Sequence, residues 1–168
     1  MIGCQSVLHS DLWVLWPFLR PTHDSTAGIW ATLLYSGGWY AWSQGRYDIA
    51  QQMVGKARKV RQRRFGREDV ATLASISLFA LVQKDQGRWS EAEKLEVQVM
   101  ETSKTKLGAD HPNTLSSMNN LAFTWQNQGR HADALALMED CAQARRRVLG
   151  EEHPYTLLSL AAVAKWSS

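Results

Sequence analysis

Two histidines recur one residue before a proline, His111 and His153, and repeated imidazoles are the residue type that holds zinc or copper. A metal site needs three or four ligands converging on one point. Neither histidine has a cysteine or carboxylate evidently converging on it, so the pair reads as helix-start structure. His9, Ser10 and Asp11 carry the three chemistries of a nucleophilic triad. A triad is a spatial constellation whose members need not be neighbours, so their adjacency counts for nothing. Cys4 and Cys141 lie far apart with no Cys-x-x-Cys pair, and they read as reduced thiols. No phosphate-cradling loop, dinucleotide fingerprint, zinc-protease helix or nucleophile elbow occurs in the chain. The expectation is a non-enzyme with no cofactor and no metal.

The remaining chemistry is charge. Eight positive residues fall between Arg46 and Arg67 against one acid, Asp48, with Lys56, Lys59, Arg63 and Arg67 forming the candidate basic face. A second group, Arg145 to Arg147, occupies the corresponding end of a later helix. Cations are favoured at helix C-termini, and the formal net charge of the whole chain is only +3. A solvated outer face is therefore preferred to a nucleic-acid footprint, with attraction to an acidic protein segment lying between the two.

The chain has 168 residues, 45% of them apolar and 21% charged, with 11 Gly and 4 Pro. That composition fits one globular domain or about four helical hairpins, and neither disorder nor a disulfide scaffold. The apolar run Leu12 to Leu19 contains Pro17 and is far shorter than the roughly 20 residues that span a bilayer. Met1 to Asp11 holds no Lys or Arg, unlike a secretory signal, so a cytoplasmic, membrane-free protein is expected.

The elements that position these residues repeat every 42 residues. Gln-Gly-Arg occurs at Gln44 to Arg46, Gln86 to Arg88 and Gln128 to Arg130. Gly66, Gly108 and Gly150 keep the same step, as do Thr72, Thr114 and Thr156, and Ala50, Ala92 and Ala134. Each unit reads as two antiparallel helices. In the clearest copy Pro112 takes the first position of helix A, where its missing N–H costs nothing. Met118, Leu121, Ala122 and Trp125 then form one buried face, and the helix stops at Gly129. Helix B follows with Ala134, Leu137, Met138, Cys141 and Val148 as its apolar stripe and ends at Gly150. In the preceding copy Ser90 and Glu93 are placed as a capping box. In the first copy Gly55 should cost helix B about 1 kcal/mol relative to alanine. Gly37 and Gly38 predict a bent or frayed helix A over residues 29–43.

The segments Gly108-Ala-Asp-His-Pro-Asn-Thr-Leu, Gly150-Glu-Glu-His-Pro-Tyr-Thr-Leu and Asn119-Asn-Leu-Ala resemble the tetratricopeptide repeats (TPR) of kinesin light chains. The resemblance covers about residues 44–166. Similar repeats form the C-terminal arm of fungal sensor proteins, behind a nucleotide-binding (NB-ARC) module and an effector domain. The resemblance implies protein binding, and it implies that an Asn at the Asn119 position faces a groove and contacts the backbone of an extended peptide. An amide suits that role because it both donates and accepts.

Helical spacing gives the same surface. If Met118, Leu121, Ala122 and Trp125 face between helices, then Ser116, Asn119, Phe123 and Gln126 share the opposite stripe. Counterparts one repeat earlier are Ala74, Ser77, Leu81 and Lys84, and two repeats earlier Thr32, Tyr35, Trp39 and Trp42, so the groove becomes more apolar toward the N-terminal end.

The expected fold is all-α, an α-solenoid of antiparallel hairpins with three to four repeats, the last incomplete. The divisions are 1–28 as a non-repeat segment (degenerate cap or disordered), 29–66 as a degenerate first repeat, 67–108 and 109–150 as the second and third, and 151–168 as helix A of a truncated fourth. The expected function is protein or peptide binding in the concave groove. Two alternatives stand beside it: a detached sensor or self-association arm of a larger STAND-type NTPase, its uncapped ends packing on further repeats, and nucleic-acid binding through residues 46–67.

Overall fold

Every break between helices falls on a glycine of the repeat. Gly45, Gly66, Gly87, Gly108, Gly129 and Gly150 all have φ between +72° and +99°, a left-handed backbone that a side chain resists. The computed structural model describes residues 24–167. Between these glycines run α1 (Asp24–Ser43), α2 (Tyr47–Phe65), α3 (Val70–Asp85), α4 (Trp89–Leu107), α5 (Pro112–Asn127), α6 (His131–Leu149) and α7 (Pro154–Trp166).

The odd-numbered helices are the A helices, and three of them share one kind of start. Asp69 Oδ1 accepts from the amides of Ala71 and Thr72 ahead of α3. His111 Nδ1 accepts from the Asn113 amide at 3.1 Å, and His153 Nδ1 from the Tyr155 amide at 3.2 Å, with proline opening both helices. The repeated histidines are thus N-caps, each offering an unprotonated ring nitrogen to an otherwise orphaned N–H.

Each hairpin buries its face only against its neighbours. Ala41, Ala50 and Val82 join α1, α2 and α3, and Ala122, Met138 and Ala162 join α5, α6 and α7 in the same way two repeats on. Besides its hairpin partners α1 packs on α3, and α3 on α5, whereas no two even-numbered B helices pack comparably. The A helices are therefore the inner, concave side of an α-solenoid.

Four expectations are corrected. Helix α1 begins at Asp24, within the segment expected to be non-repeat, because its first turns lie against Arg64 and Phe65 at the end of α2. It also runs unbroken through Gly37 and Gly38. A Cβ on Gly37 would lie 2.4 Å from Met53 Cε, and one on Gly38 2.4 Å from Val54 Cγ2, so these glycines let two helices approach closely. The capping box is not formed: Arg88 is the N-cap of α4, and Glu93 turns to the following repeat. Val148, expected in the buried stripe of α6, is exposed in its last turn. Residues 1–23, with Cys4, the His9-Ser10-Asp11 run and the Leu12 to Leu19 segment, lie outside the described residues.

Candidate binding groove

The Gln-Gly-Arg turns hold the groove in register. Gln86 Nε2 donates to Asp48 Oδ1 and Arg88 Nη2 to Gln51 Oε1, tying the second turn to α2. One repeat later, Glu93 on α4 accepts from Trp125 Nε1, Gln128 Nε2 and Arg130 Nη1 at 2.7 to 3.0 Å. Burial alone would raise the Glu93 pKa; the bonds from Gln128 and Trp125 and the charge of Arg130 together hold it below its ordinary value. The second and third turns are each fastened to the helix B before them, which ties each of these hairpins to the one before it.

Among the sequence-predicted groove residues, Tyr35, Trp39, Ala74, Ser77, Leu81 and Ser116 come together. They rim a depression of about 210 Å³ across α1, α3 and α5, with Asn113 at its edge. Its floor is Leu73, Leu78, Val99 and Ser103, and these were not singled out from sequence. The other predicted residues lie outside it. Asn119 Oδ1 is engaged by Arg145 Nη1 at 3.1 Å, and Gln126 Oε1 by the His131 ring at 3.0 Å. Phe123 meets the Trp166 ring edge-on at 5.1 Å, and Lys84 is 3.9 Å from Asp85. Trp42 donates its ring N–H to Asp85.

The basic cluster does not form one face. Lys59, Arg63 and Arg67 are exposed, but Arg58 turns inward over the Phe79 ring at 4.6 Å, where burial lowers its pKa. Arg61 and Arg145, expected among the solvated charges, are only 7% and 5% exposed. Arg61 donates to the Ala71 carbonyl and Ser75 Oγ and lies over the Tyr35 ring at 4.7 Å. Burial lowers its pKa, partly offset by Tyr35 and Asp69. Arg145 donates to the Tyr155 carbonyl, Ser159 Oγ and Asn119 Oδ1. A buried guanidinium with five donors needs several acceptors, and two successive A helices supply them.

Two positions break the repeat. Where the first and third copies bury Val54 and Met138, the second buries Glu96, only 1% exposed and with no charged partner bonded to its carboxylate. Desolvation raises its pKa to about 7, against smaller opposing effects of Thr124 and Lys84. Where the first and third copies bury Arg61 and Arg145, the second has Ser103. The 42-residue step could have exposed both. Among the described residues no group of His, Cys, Asp and Glu could hold a metal, and no helix is long and apolar enough to cross a membrane.

A stack of short hairpins held turn to helix, with a concave side of A helices, is a helical-repeat module. Two tetratricopeptide-repeat family models match it, at residues 31–105 and 114–155. The chain belongs to the tetratricopeptide-repeat family. Among solved structures, it resembles a Podosopora anserina protein described as a kinesin light chain with nearly identical TPR-like repeats. The TM-score is 0.77 at 23% identity, over 87% of this chain and 67% of that one. A point variant of the same protein gives 0.77 at 22% identity over 86% and 68%. BtubC (BKLC) from P. vanneervenii gives 0.73 at 19% identity over 89% of this chain and 59% of that one. No curated protein matches the sequence significantly. Repeats of this family are generally protein-interaction modules rather than enzymes.

Proposed function

We propose that the protein binds an extended protein segment along the A-helix groove. The observation that carries this is the depression across α1, α3 and α5, where Trp39, Leu81 and Tyr35 supply apolar surface and Ser77, Ser116 and Asn113 supply hydrogen-bonding groups. Trp39 is half exposed within it. An aromatic anchor beside convergent polar groups is the composition of a peptide-binding hot spot. Asn119 holds Arg145 through its side-chain oxygen, and in this reading its side-chain N–H groups are what donate to a peptide backbone.

The test is selection of peptides from a display library on the purified chain, followed by titration against Trp39→Ala and Leu81→Glu. Groove binding requires both substitutions to weaken the selected peptides by about tenfold or more, the loss of one buried apolar contact. Undiminished affinity in both variants, with helicity intact, would place the binding surface elsewhere.

A second reading, a self-association or sensor arm, draws on Leu157, Leu158 and Leu160, all exposed on α7. Light scattering over a concentration series separates it: a monomer at every concentration counts against packing through this face.

A further inference from the structure

The depression across α1, α3 and α5 lies where the chain lacks one of its own arginines. Arg61 and Arg145 occupy the same repeat position, and each threads its guanidinium between the A helix of its own hairpin and that of the next. Ser103 holds this position in the second copy, and its short side chain leaves the floor of the depression open. Resting on the groove reading above, we infer that this pocket accepts the guanidinium of an arginine on the bound segment.

The acceptors that hold Arg145 all have counterparts around Ser103. Arg145 bonds to the carbonyls of Tyr155 and Leu115 and to the side chains of Ser159 and Asn119. One repeat earlier these are the carbonyls of Asn113 and Leu73 and the hydroxyls of Ser117 and Ser77. Asn113, Leu73 and Ser77 line the pocket.

One difference makes the set more receptive. Ser75 and Ser159 donate to the carbonyls of Ala71 and Tyr155, the same carbonyls that take the guanidinium. Ser117 instead donates to Thr114, so the Asn113 carbonyl carries no serine hydroxyl. Ser77 Oγ accepts only a long contact, 3.4 Å from Asn120 Nδ2.

The chemistry favours guanidinium over ammonium. Acceptors spread over two helices match a planar fork of five donors, and a lysine's compact charge reaches fewer of them. The Tyr35 ring, which carries Arg61 over its face at 4.7 Å, also lines the depression. The Arg145 site holds its guanidinium on neutral acceptors alone, so the absence of a carboxylate among the lining residues is no obstacle.

The experiment uses acetylated, amidated pentapeptides with a central arginine, citrulline, lysine or leucine, titrated into the isotope-labelled full chain by NMR. Citrulline keeps the shape and loses the charge. The arginine peptide is expected to shift the amides around Ser77, Ser103 and Asn113 saturably, and to bind at least about tenfold more tightly than the citrulline peptide. Ser103→Arg, which supplies the guanidinium from within, should abolish these shifts while keeping a dispersed spectrum. Ser77→Val, which removes one acceptor at the rim, should weaken them. Equal binding of all four peptides, or undiminished binding of the arginine peptide to Ser103→Arg, overturns the inference and leaves groove binding standing. Absence of shifts with the arginine peptide also overturns it; groove binding then falls too only if display-selected peptides leave the same amides unmoved.

Discussion

Replacing Glu96 by methionine should make the protein more stable at neutral pH and remove part of its pH dependence. Glu96 occupies the place that Met138 fills in the following repeat, so a side chain of this kind is already accommodated by the architecture. Its carboxyl, ordinarily near 4.5, is pushed up to about 7 by burial. The folded protein therefore holds this proton more tightly than the unfolded chain does. Stability from this group is complete below pH 4.5, falls as pH rises toward 7, and is fully lost above it. At 1.36 kcal/mol per pKa unit the whole difference is roughly 3 kcal/mol, most of it falling between pH 5 and 8. The assay is urea unfolding followed by circular dichroism at several pH values for wild type, Glu96→Met and Glu96→Gln. With a typical dependence on urea of 1–3 kcal/mol per molar, the wild-type midpoint should drop by about 1 M over that interval relative to Glu96→Met. Glu96→Gln should flatten the profile as well, without the apolar gain. Identical pH profiles for wild type and Glu96→Met would refute the reasoning, because both share every other titrating group.

Other perturbations follow from the packing. Gly38→Ala should destabilise by about 1–3 kcal/mol despite better helix propensity, because its Cβ would meet Val54 at 2.4 Å; thermal unfolding checks it. Arg145→Ala should cost about 2–4 kcal/mol by stranding Ser159 and Asn119, and Arg145→Lys should recover little; urea midpoints measure both. The Cys141 thiol is fully buried, its pKa is raised first by desolvation, and it donates to the Leu115 carbonyl, so a thiol reagent should modify it only as fast as the chain opens. Mass spectrometry of a timed alkylation, with and without urea, reads that rate. Glu93→Ala should unfasten the turn at Gln128 to Arg130. Because its pKa is depressed, the wild-type advantage over this variant should be full at neutral pH and shrink as acid protonates the carboxyl.

The fold was legible in the sequence because a fixed period turns each copy into a check on the others. Gly66, Gly108 and Gly150 mark the ends of B helices, and Pro112 and Pro154 the starts of A helices, for reasons that belong to one residue at a time. What stayed hidden depended on two helices at once. Gly37 and Gly38 look like helix breakers until Met53 and Val54 are seen pressing against them. Arg61 and Arg145 sit in runs of like charge, and only the third dimension shows the serines and carbonyls that take them inward. The groove rim was predictable from helical spacing, whereas its floor was not, since Val99 and Ser103 come from the neighbouring B helix. The departures at Glu96 and Ser103 were visible as mismatches in the period, but a mismatch acquires meaning only when its counterparts are known to be buried.

Because each hairpin touches only the next, the array transmits force as links in series. Tension applied to its two ends is borne equally by every junction, and extension begins at whichever yields first. The buried carboxylate on α4 makes one interior link of that series sensitive to proton concentration, while the clusters of the flanking hairpins are built from apolar side chains. A pull on the two ends would then meet a resistance at this link that weakens as the pH rises toward 7, whereas links without a buried carboxylate would keep theirs.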